Sequence, residues 1–212
     1  MTSTSVVLFV VAGLFALGDW TARLRHLRWL EYVCKPATLL ALIGAAVALS
    51  PGSEWGTRRW WFVAALVCSL AGDICLMVPA DFFVAGLAAF LFGHLSYLTG
   101  FWVRGPGAVA LAVSAAVVVI VVSPLAARIL KSLRERLGLR RSVLVYMVVI
   151  SAMLATALAT GNVLAGVGAA MFVGSDTMIA WNRFVRPFRT ADVGIMVTYH
   201  LGQAALVLSL VH

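Results

Sequence analysis

An all-α membrane protein, built as an eight-transmembrane-helix bundle, is the fold that three observations predict. The chain of 212 residues is 63% hydrophobic and only 11% charged, and its mean hydropathy of +1.03 exceeds that of soluble domains. Its apolar residues form continuous runs near the roughly 20 residues that a bilayer requires, without the alternation of a membrane barrel. Turn-forming residues punctuate the runs: Pro51-Gly52, Pro79, Gly105-Pro106-Gly107 and Gly161-Asn162. No linker or low-complexity stretch divides the chain, so residues 1–212 are expected to form a single integral membrane domain.

The expected spans are 4–22, 33–50, 59–79, 82–103, 107–127, 142–160, 162–182 and 191–211. Val6–Leu17 has the length of a signal-peptide core. It lacks a basic leader and runs straight into Asp19 and Trp20, so an uncleaved first helix is expected. The second span is the shortest. In the fourth, Ala85, Ala89 and Gly93 recur at spacings of four, as do Gly166, Ala170 and Gly174 in the seventh. Small residues so placed let helix backbones approach closely, which predicts central positions for these two helices. The fifth span is nearly uniformly apolar and is expected to face lipid.

The net charge of +8 raises the question of nucleic acid, but the basic residues lie between apolar runs. They set orientation instead. The odd-numbered connections hold Arg23, Arg25, Arg28 and Lys35, then Arg128, Lys131, Arg134, Arg136, Arg140 and Arg141, then Arg183, Arg186 and Arg189. The even-numbered ones hold Arg58, Arg59 and Arg104. This bias predicts odd connections in the cytoplasm and both termini on the non-cytoplasmic side of a cell (inner) membrane. Residues 128–141 are expected to form a short basic amphipathic helix on the inner surface, attracted to anionic lipid. No nucleic-acid partner is expected, and the sequence carries no signal for an oligomeric state.

Two spans carry an aspartate well inside their length, Asp73 in the third and Asp176 in the seventh. An intramembrane carboxylate costs roughly 2.5–3.5 kcal/mol on insertion scales and points to function. Helical rise places Asp73 roughly 9 Å from Pro79, Asp176 about 9 Å from Asn182, and Tyr199 about 10 Å from Asp192. His94 lies deeper, some 19 Å beyond Asp81, and Lys35 and Asp19 sit near the inner surface. Polar groups thus gather in the cytoplasmic half or at the midplane, as a pocket open to the inner side requires. His94 and Tyr97 share a helix face, as do Tyr199 with Gln203 and His200 with Gln203.

Each of these residues also has a structural reading. Buried charges are usually paired, so Asp73 and Asp176 could pair with Lys35 or Arg183. His94, Tyr199 and Gln203 could bridge helices by hydrogen bonds, and Lys35 could snorkel at a helix start. Trp20, Trp29, Trp60, Trp61, Trp102 and Trp181 read as interface anchors, and Asp19, Asp81, Asp192 and Glu31 as interfacial charges. Cys34, Cys68 and Cys75 lack metal or disulfide spacing. There is no HExxH, phosphate-binding loop, nucleotide fingerprint or nucleophile elbow, so neither a metal nor a cofactor is expected.

An ordered set of short elements carries a resemblance. Cys34-Lys35-Pro36 opens the second span and Ala71-Gly72-Asp73 lies in the third. Gly93-His94 with Tyr97 follows in the fourth, Gly168-Ala169 with Ser175-Asp176 and Asn182-Arg183-Phe184 in the seventh, and Tyr199 with Gln203 in the last. The chain resembles the YhhN-like lysoplasmalogenase family of multipass membrane proteins. One departure is His200, where the family pattern would place a second tyrosine-like residue. The resemblance implies an eight-helix bundle that hydrolyses the vinyl ether of a lysoplasmalogen, a lysophospholipid, to a fatty aldehyde and a glycerophospho-base.

The chemistry fits the residues. A vinyl ether breaks once its β-carbon is protonated, giving an oxocarbenium-like cation that water captures, as in glycoside hydrolysis. Two carboxylates in one low-dielectric pocket cannot both ionise easily, so one is expected to stay protonated. Asp73 and Asp176 are therefore expected to face one another as a catalytic pair, oriented by His94 and Tyr199. Lys35 and Arg183 are expected to hold the lipid phosphate, and Asn182, Gln203, Tyr97 and His200 to complete the substrate pocket. The rival readings are a proton-coupled transporter of small molecules or lipid, and a lysolipid-binding membrane protein without catalysis. Against the transporter, no inverted repeat is evident.

Overall fold

A computed structural model describes residues 1–49, 56–78, 82–103 and 105–211. The expected turns at Pro51-Gly52 and Pro79, and the charges Asp81 and Arg104, lie outside the described residues. Those residues form eight helices: α1 (Ser3–Arg25), α2 (Arg28–Ala48), α3 (Gly56–Met77), α4 (Phe83–Trp102), α5 (Ala108–Ser132), α6 (Leu137–Ala159), α7 (Val163–Phe184) and α8 (Ala191–Leu208). All eight are long and apolar enough to cross a bilayer, and much of the outer surface is Val, Leu, Ile and Phe. The protein is a multipass membrane protein. A helix satisfies its own backbone groups, which is what lets such segments enter hydrocarbon.

Local chemistry sets the ends. The Thr2 hydroxyl accepts from Ser5 N–H at 3.0 Å and caps α1. His26 ends that helix in the left-handed region, with φ of 56°. Asn162 caps α7 by accepting from Ala165 N–H at 3.0 Å. The residue before it, Gly161, turns with φ of 72°, a conformation that glycine adopts without strain. Neighbouring helices run antiparallel, and hydrogen bonds tie opposite ends together. Thr2 donates to the Ala48 carbonyl at 2.8 Å, Tyr32 to that of Met77 at 3.3 Å, and Asn162 to that of Ser209 at 3.3 Å.

Three expectations are corrected. The second helix begins at Arg28, not at residue 33, and runs through Pro36; the shortest helix is α8, with 18 residues. Residues 128–141 do not form a separate surface helix. Arg128–Ser132 continues α5 past Pro124, and residues 137–141 open α6. The reason is packing: Ile129 and Leu133, four apart, are buried with Val143 against Ala180, Trp181 and Phe184 of α7. Finally, α8 and α6 are the most buried helices, at 56% and 50%, against 39% for α4 and α7. The fifth helix faces outward as expected, only 6% buried.

Of the expected small-residue stripes, Gly93 meets α3 and Gly166 meets Leu158 of α6, but the other members do not all face a neighbour. Ala85 and Ala170 are exposed, and nothing lies within 4 Å of where a Gly174 Cβ would be. On α4 it is Gly86, Gly93 and Gly100, seven apart, that meet α3. On α7 it is Gly168 that meets Gly202 of α8: a Cβ on Gly168 would lie 2.9 Å from the Gly202 carbonyl oxygen and from Leu206 N. Backbone cannot yield as a side chain can. Gly168→Val is therefore expected to destabilise the bundle by about 1–3 kcal/mol or more, read as a lower midpoint of thermal unfolding in detergent. An unchanged midpoint would show that α7 and α8 are not so closely apposed.

Candidate active site

The two intramembrane aspartates sit in two separate networks of polar residues. In the first, Asp73 of α3 binds Lys35 of α2 and Tyr199 of α8. Lys35 Nζ lies 2.9 Å from Asp73 Oδ1, and the Tyr199 hydroxyl donates to Oδ2 at 2.8 Å. Both carboxylate oxygens are engaged, and the Lys35 and Asp73 side chains are only 4% and 2% exposed. This is a desolvated ion pair with hydrogen-bond support, the form in which buried charge is tolerated.

In the second, Asp176 of α7 meets His94 of α4 and Tyr146 of α6. The Tyr146 hydroxyl donates to Asp176 Oδ2. His94 Nε2 lies 2.8 Å from that hydroxyl and 3.3 Å from Oδ2. Among the described residues Asp176 Oδ1 takes no hydrogen bond, and the side chain is 12% exposed. Asp176 and Tyr146 line a narrow cavity of about 60 Å³ between α3, α4, α5, α6 and α7. Its other walls are apolar apart from Thr177, and include Leu76, Phe83, Phe90, Val122, Ile150 and Phe184.

Among the described residues, Asp73 and Asp176 share no hydrogen-bond partner. Asp73 does not line the Asp176 cavity. The Phe172 ring lies between the two networks, 4.7 Å from the His94 ring and 5.3 Å from that of Tyr199. Phe90 packs edge-on against both Phe172 and Tyr199. The wall arises because α7 turns Phe172 inward one helical turn before Asp176, and α4 turns Phe90 inward one turn before His94. His94 is thus Asp176's neighbour, whereas Tyr199 belongs to Asp73.

The other expected pocket residues are spread more widely. Lys35 is buried in its ion pair rather than at the surface. Tyr97 donates to Gln203 Oε1 and packs edge-on against Phe62, away from the cavity. The Trp20 indole N–H donates to His200 Nδ1 at 3.1 Å, which fixes His200 as the tautomer protonated on Nε2 and makes Trp20 more than an interface anchor. Asn182 Oδ1 accepts from Phe188 N–H at 3.1 Å and shapes the α7–α8 connection. The Arg183 guanidinium sits 4.1 Å over the Phe83 ring at the end of the cavity. Asp19, expected at the interface, is fully buried and paired with Arg23 at 3.3 Å.

Sequence reasoning passed over Tyr146, the hydroxyl closest to Asp176. It stands in an apolar span, with only Ser142 at the start of the helix as a polar neighbour three or four positions away. The available signal was the phenol itself, since a buried tyrosine hydroxyl usually finds a partner.

Comparison with known proteins gives the chain's family. A family model described as the YhhN family matches residues 30–210. Lysoplasmalogenase TMEM86B of Homo sapiens is 35% identical over 186 residues, which cover 87% of this chain and 76% of that protein. Its Sus scrofa counterpart is 33% identical over 183 residues, covering 85% of this chain and 75% of that protein. A lysoplasmalogenase of Mycobacterium bovis is 36% identical over 171 residues, 77% of this chain and 64% of that protein. No solved structure matches. The family match runs from the first turn of α2 to just past the end of α8 and takes in both polar networks; the chain belongs to the YhhN family.

Proposed function

We propose that this protein is a lysoplasmalogenase-type hydrolase of the cell (inner) membrane, and that Asp176 is the acid that opens the vinyl ether. The observation that carries the reading is the contrast between the two carboxylates. Asp73 is committed on both oxygens and sealed, whereas Asp176 presents an oxygen that is unbonded among the described residues, beside an apolar cavity. The named activity of the relatives supplies the reaction class.

In this mechanism Asp176 begins as the neutral acid and gives its proton to the β-carbon of the alkenyl ether. The π electrons form the new C–H bond, and the ether oxygen stabilises the resulting cation. Water attacks the α-carbon while Asp176, now a carboxylate, takes one of its protons. The hemiacetal then collapses to a fatty aldehyde and the free hydroxyl of the glycerophospho-base. Tyr146 and His94 hold Oδ2 and so leave Oδ1 for the proton. The apolar walls take the alkenyl chain and keep competing water sparse. Asp73 with Lys35 and Tyr199 forms a fixed charged support behind Phe172, and Tyr97, Gln203 and His200 hold α8 beside it.

At about 60 Å³ the cavity is smaller than an alkenyl chain, so binding a lysolipid there requires its walls to yield. Incubation of the purified protein with a 1-alkenyl lysophospholipid is expected to release fatty aldehyde, with no fatty acid released from the 1-acyl analogue. Lysolipid binding without aldehyde would favour a non-catalytic role and refute the enzyme. Tyr146→Phe keeps the ring and removes the hydroxyl that Asp176 and His94 share. It is expected to lower kcat about tenfold, the effect of one hydrogen bond of some 1.4 kcal/mol, with KM little changed. Equal kcat would place Tyr146 outside the machinery.

We infer the orientation from the charge bias already described: odd connections and the basic end of the cavity face the cytoplasm, and both termini lie opposite. A cysteine placed by Gly138→Cys should then react with a membrane-impermeant thiol reagent only after the inner face is exposed. Reaction from outside intact cells would invert the topology.

A further inference from the structure

We propose that the cytoplasm-facing end of α5, through Arg128 and Lys131, binds the phosphate of the lysolipid head group. The inference rests on the hydrolase reading above and adds the site that recognises the polar half of the substrate. Of the two cations that the sequence suggests for this task, Lys35 is unavailable, because its ammonium is sealed against Asp73, and Arg183 lies over the Phe83 ring at the edge of the basin described next.

A second concavity, of about 750 Å³, lies between the end of α5, the α5–α6 connection and the end of α7. Phe184 lines both this basin and the Asp176 cavity. With Phe83, which it meets edge-on at 5.5 Å, it forms the neck between them. Among the described residues that line it, the basin is strongly basic: Glu135 is the one acid, 3.7 Å from Arg134. Arg128 and Lys131 are three apart, so they share the open face of α5. Ile129 and Leu133 are buried on the other side and anchor that turn against α6 and α7. The two cations therefore stand on anchored helix rather than on a mobile loop.

The dimensions agree. Five covalent bonds separate the ether oxygen of a 1-alkenyl lysophospholipid from its phosphorus, a reach of roughly 6–7 Å when extended. Asp176 lies eight residues, about 12 Å of helix rise, from Phe184. A phosphate pointing toward the neck thus stops short of the basin floor, within range of long basic side chains reaching inward along the apolar wall. The alkenyl chain then extends the other way, among Val122, Ile150 and Phe90. Phosphate held this way brings the vinyl ether to the level of Asp176.

The test compares Arg128→Gln/Lys131→Gln with the unmodified protein on a 1-alkenyl glycerophosphoethanolamine and on the 1-alkenyl glycerol that lacks phosphate. Both positions are exposed, so folding should be intact. The double variant is expected to raise KM for the phospholipid about tenfold or more at unchanged kcat, and to leave kinetics on the phosphate-free analogue within about twofold. Equal effects on both substrates, or none on the phospholipid, would overturn the proposal. So would the same KM increase from Arg186→Gln/Arg189→Gln, which changes a neighbouring concavity, with none from the α5 pair. Should the unmodified protein hydrolyse neither compound, the hydrolase reading fails on its own. Binding of a non-cleavable 1-alkyl lysophospholipid then decides this site: about tenfold weaker binding in the double variant supports it, and equal binding refutes it. Inorganic phosphate that occupies the basin without displacing the alkyl lysolipid would assign it to free phosphate and overturn the head-group role.

Discussion

Asp176→Asn is expected to abolish most aldehyde release, with kcat falling by a factor of about 10²–10⁴, the usual contribution of a positioned general acid. An amide nearly matches the carboxyl in shape and can still accept from Tyr146, so the cavity walls should stay in place. It has no acidic proton to give to carbon. Binding of a non-cleavable lysolipid should accordingly remain near normal, which separates loss of chemistry from loss of fold. Near-normal turnover would remove Asp176 from the reaction and leave the enclosed Asp73 as the only other carboxyl of the two networks.

The second large effect concerns stability. Lys35→Met leaves Asp73 buried without its cation, and breaking a buried ion pair from one side costs about 3–5 kcal/mol. By the scaling of globular domains, that lowers the unfolding midpoint by on the order of 10 °C. Lys35→Met combined with Asp73→Leu should recover part of the loss, since no unpaired charge remains, although Tyr199 then lacks its acceptor. Thermal unfolding in detergent reads both. A Lys35→Met protein as stable as the original would show that Asp73 has other compensation.

Eight spans were legible because hydropathy reports directly on burial in lipid. It does not report which helix lies beside which, and the misreadings follow from that. The expected start of α2 at residue 33 is late: the helix already carries Arg28 and Glu31 before it runs on through Pro36. Residues 128–141 looked like a surface helix because their charge is plain, whereas the inward pair Ile129 and Leu133 is easily overlooked. The glycines at Gly86, Gly93 and Gly100 follow a spacing of seven rather than four, and Gly168 and Gly202 show their purpose only when α7 and α8 are paired.

The site was partly legible for the same reason. A charged residue within a span announces itself by its cost, so Asp73, Asp176, His94 and Lys35 could be singled out, and the Asp73–Lys35 pair was among the readings open from sequence. What could not be seen was the partition. Phe90 and Phe172 resemble any other apolar residues in the sequence, but in the fold they separate the carboxylates into two networks. Tyr146 was hidden by the apolar residues around it. These features depend on which faces of four helices converge, and no single span encodes that.

The central claim is that a carboxyl beside an apolar cavity protonates an alkenyl ether, so that water then adds to the alkenyl carbon. Hydrolysis of a 1-alkenyl lysophospholipid in heavy-oxygen water tests this most directly. The account predicts a glycerophospho-base without label, because its oxygen comes from the original ether. Heavy oxygen in the glycerol portion would mean that water attacks the other side of the bond, and would contradict the account.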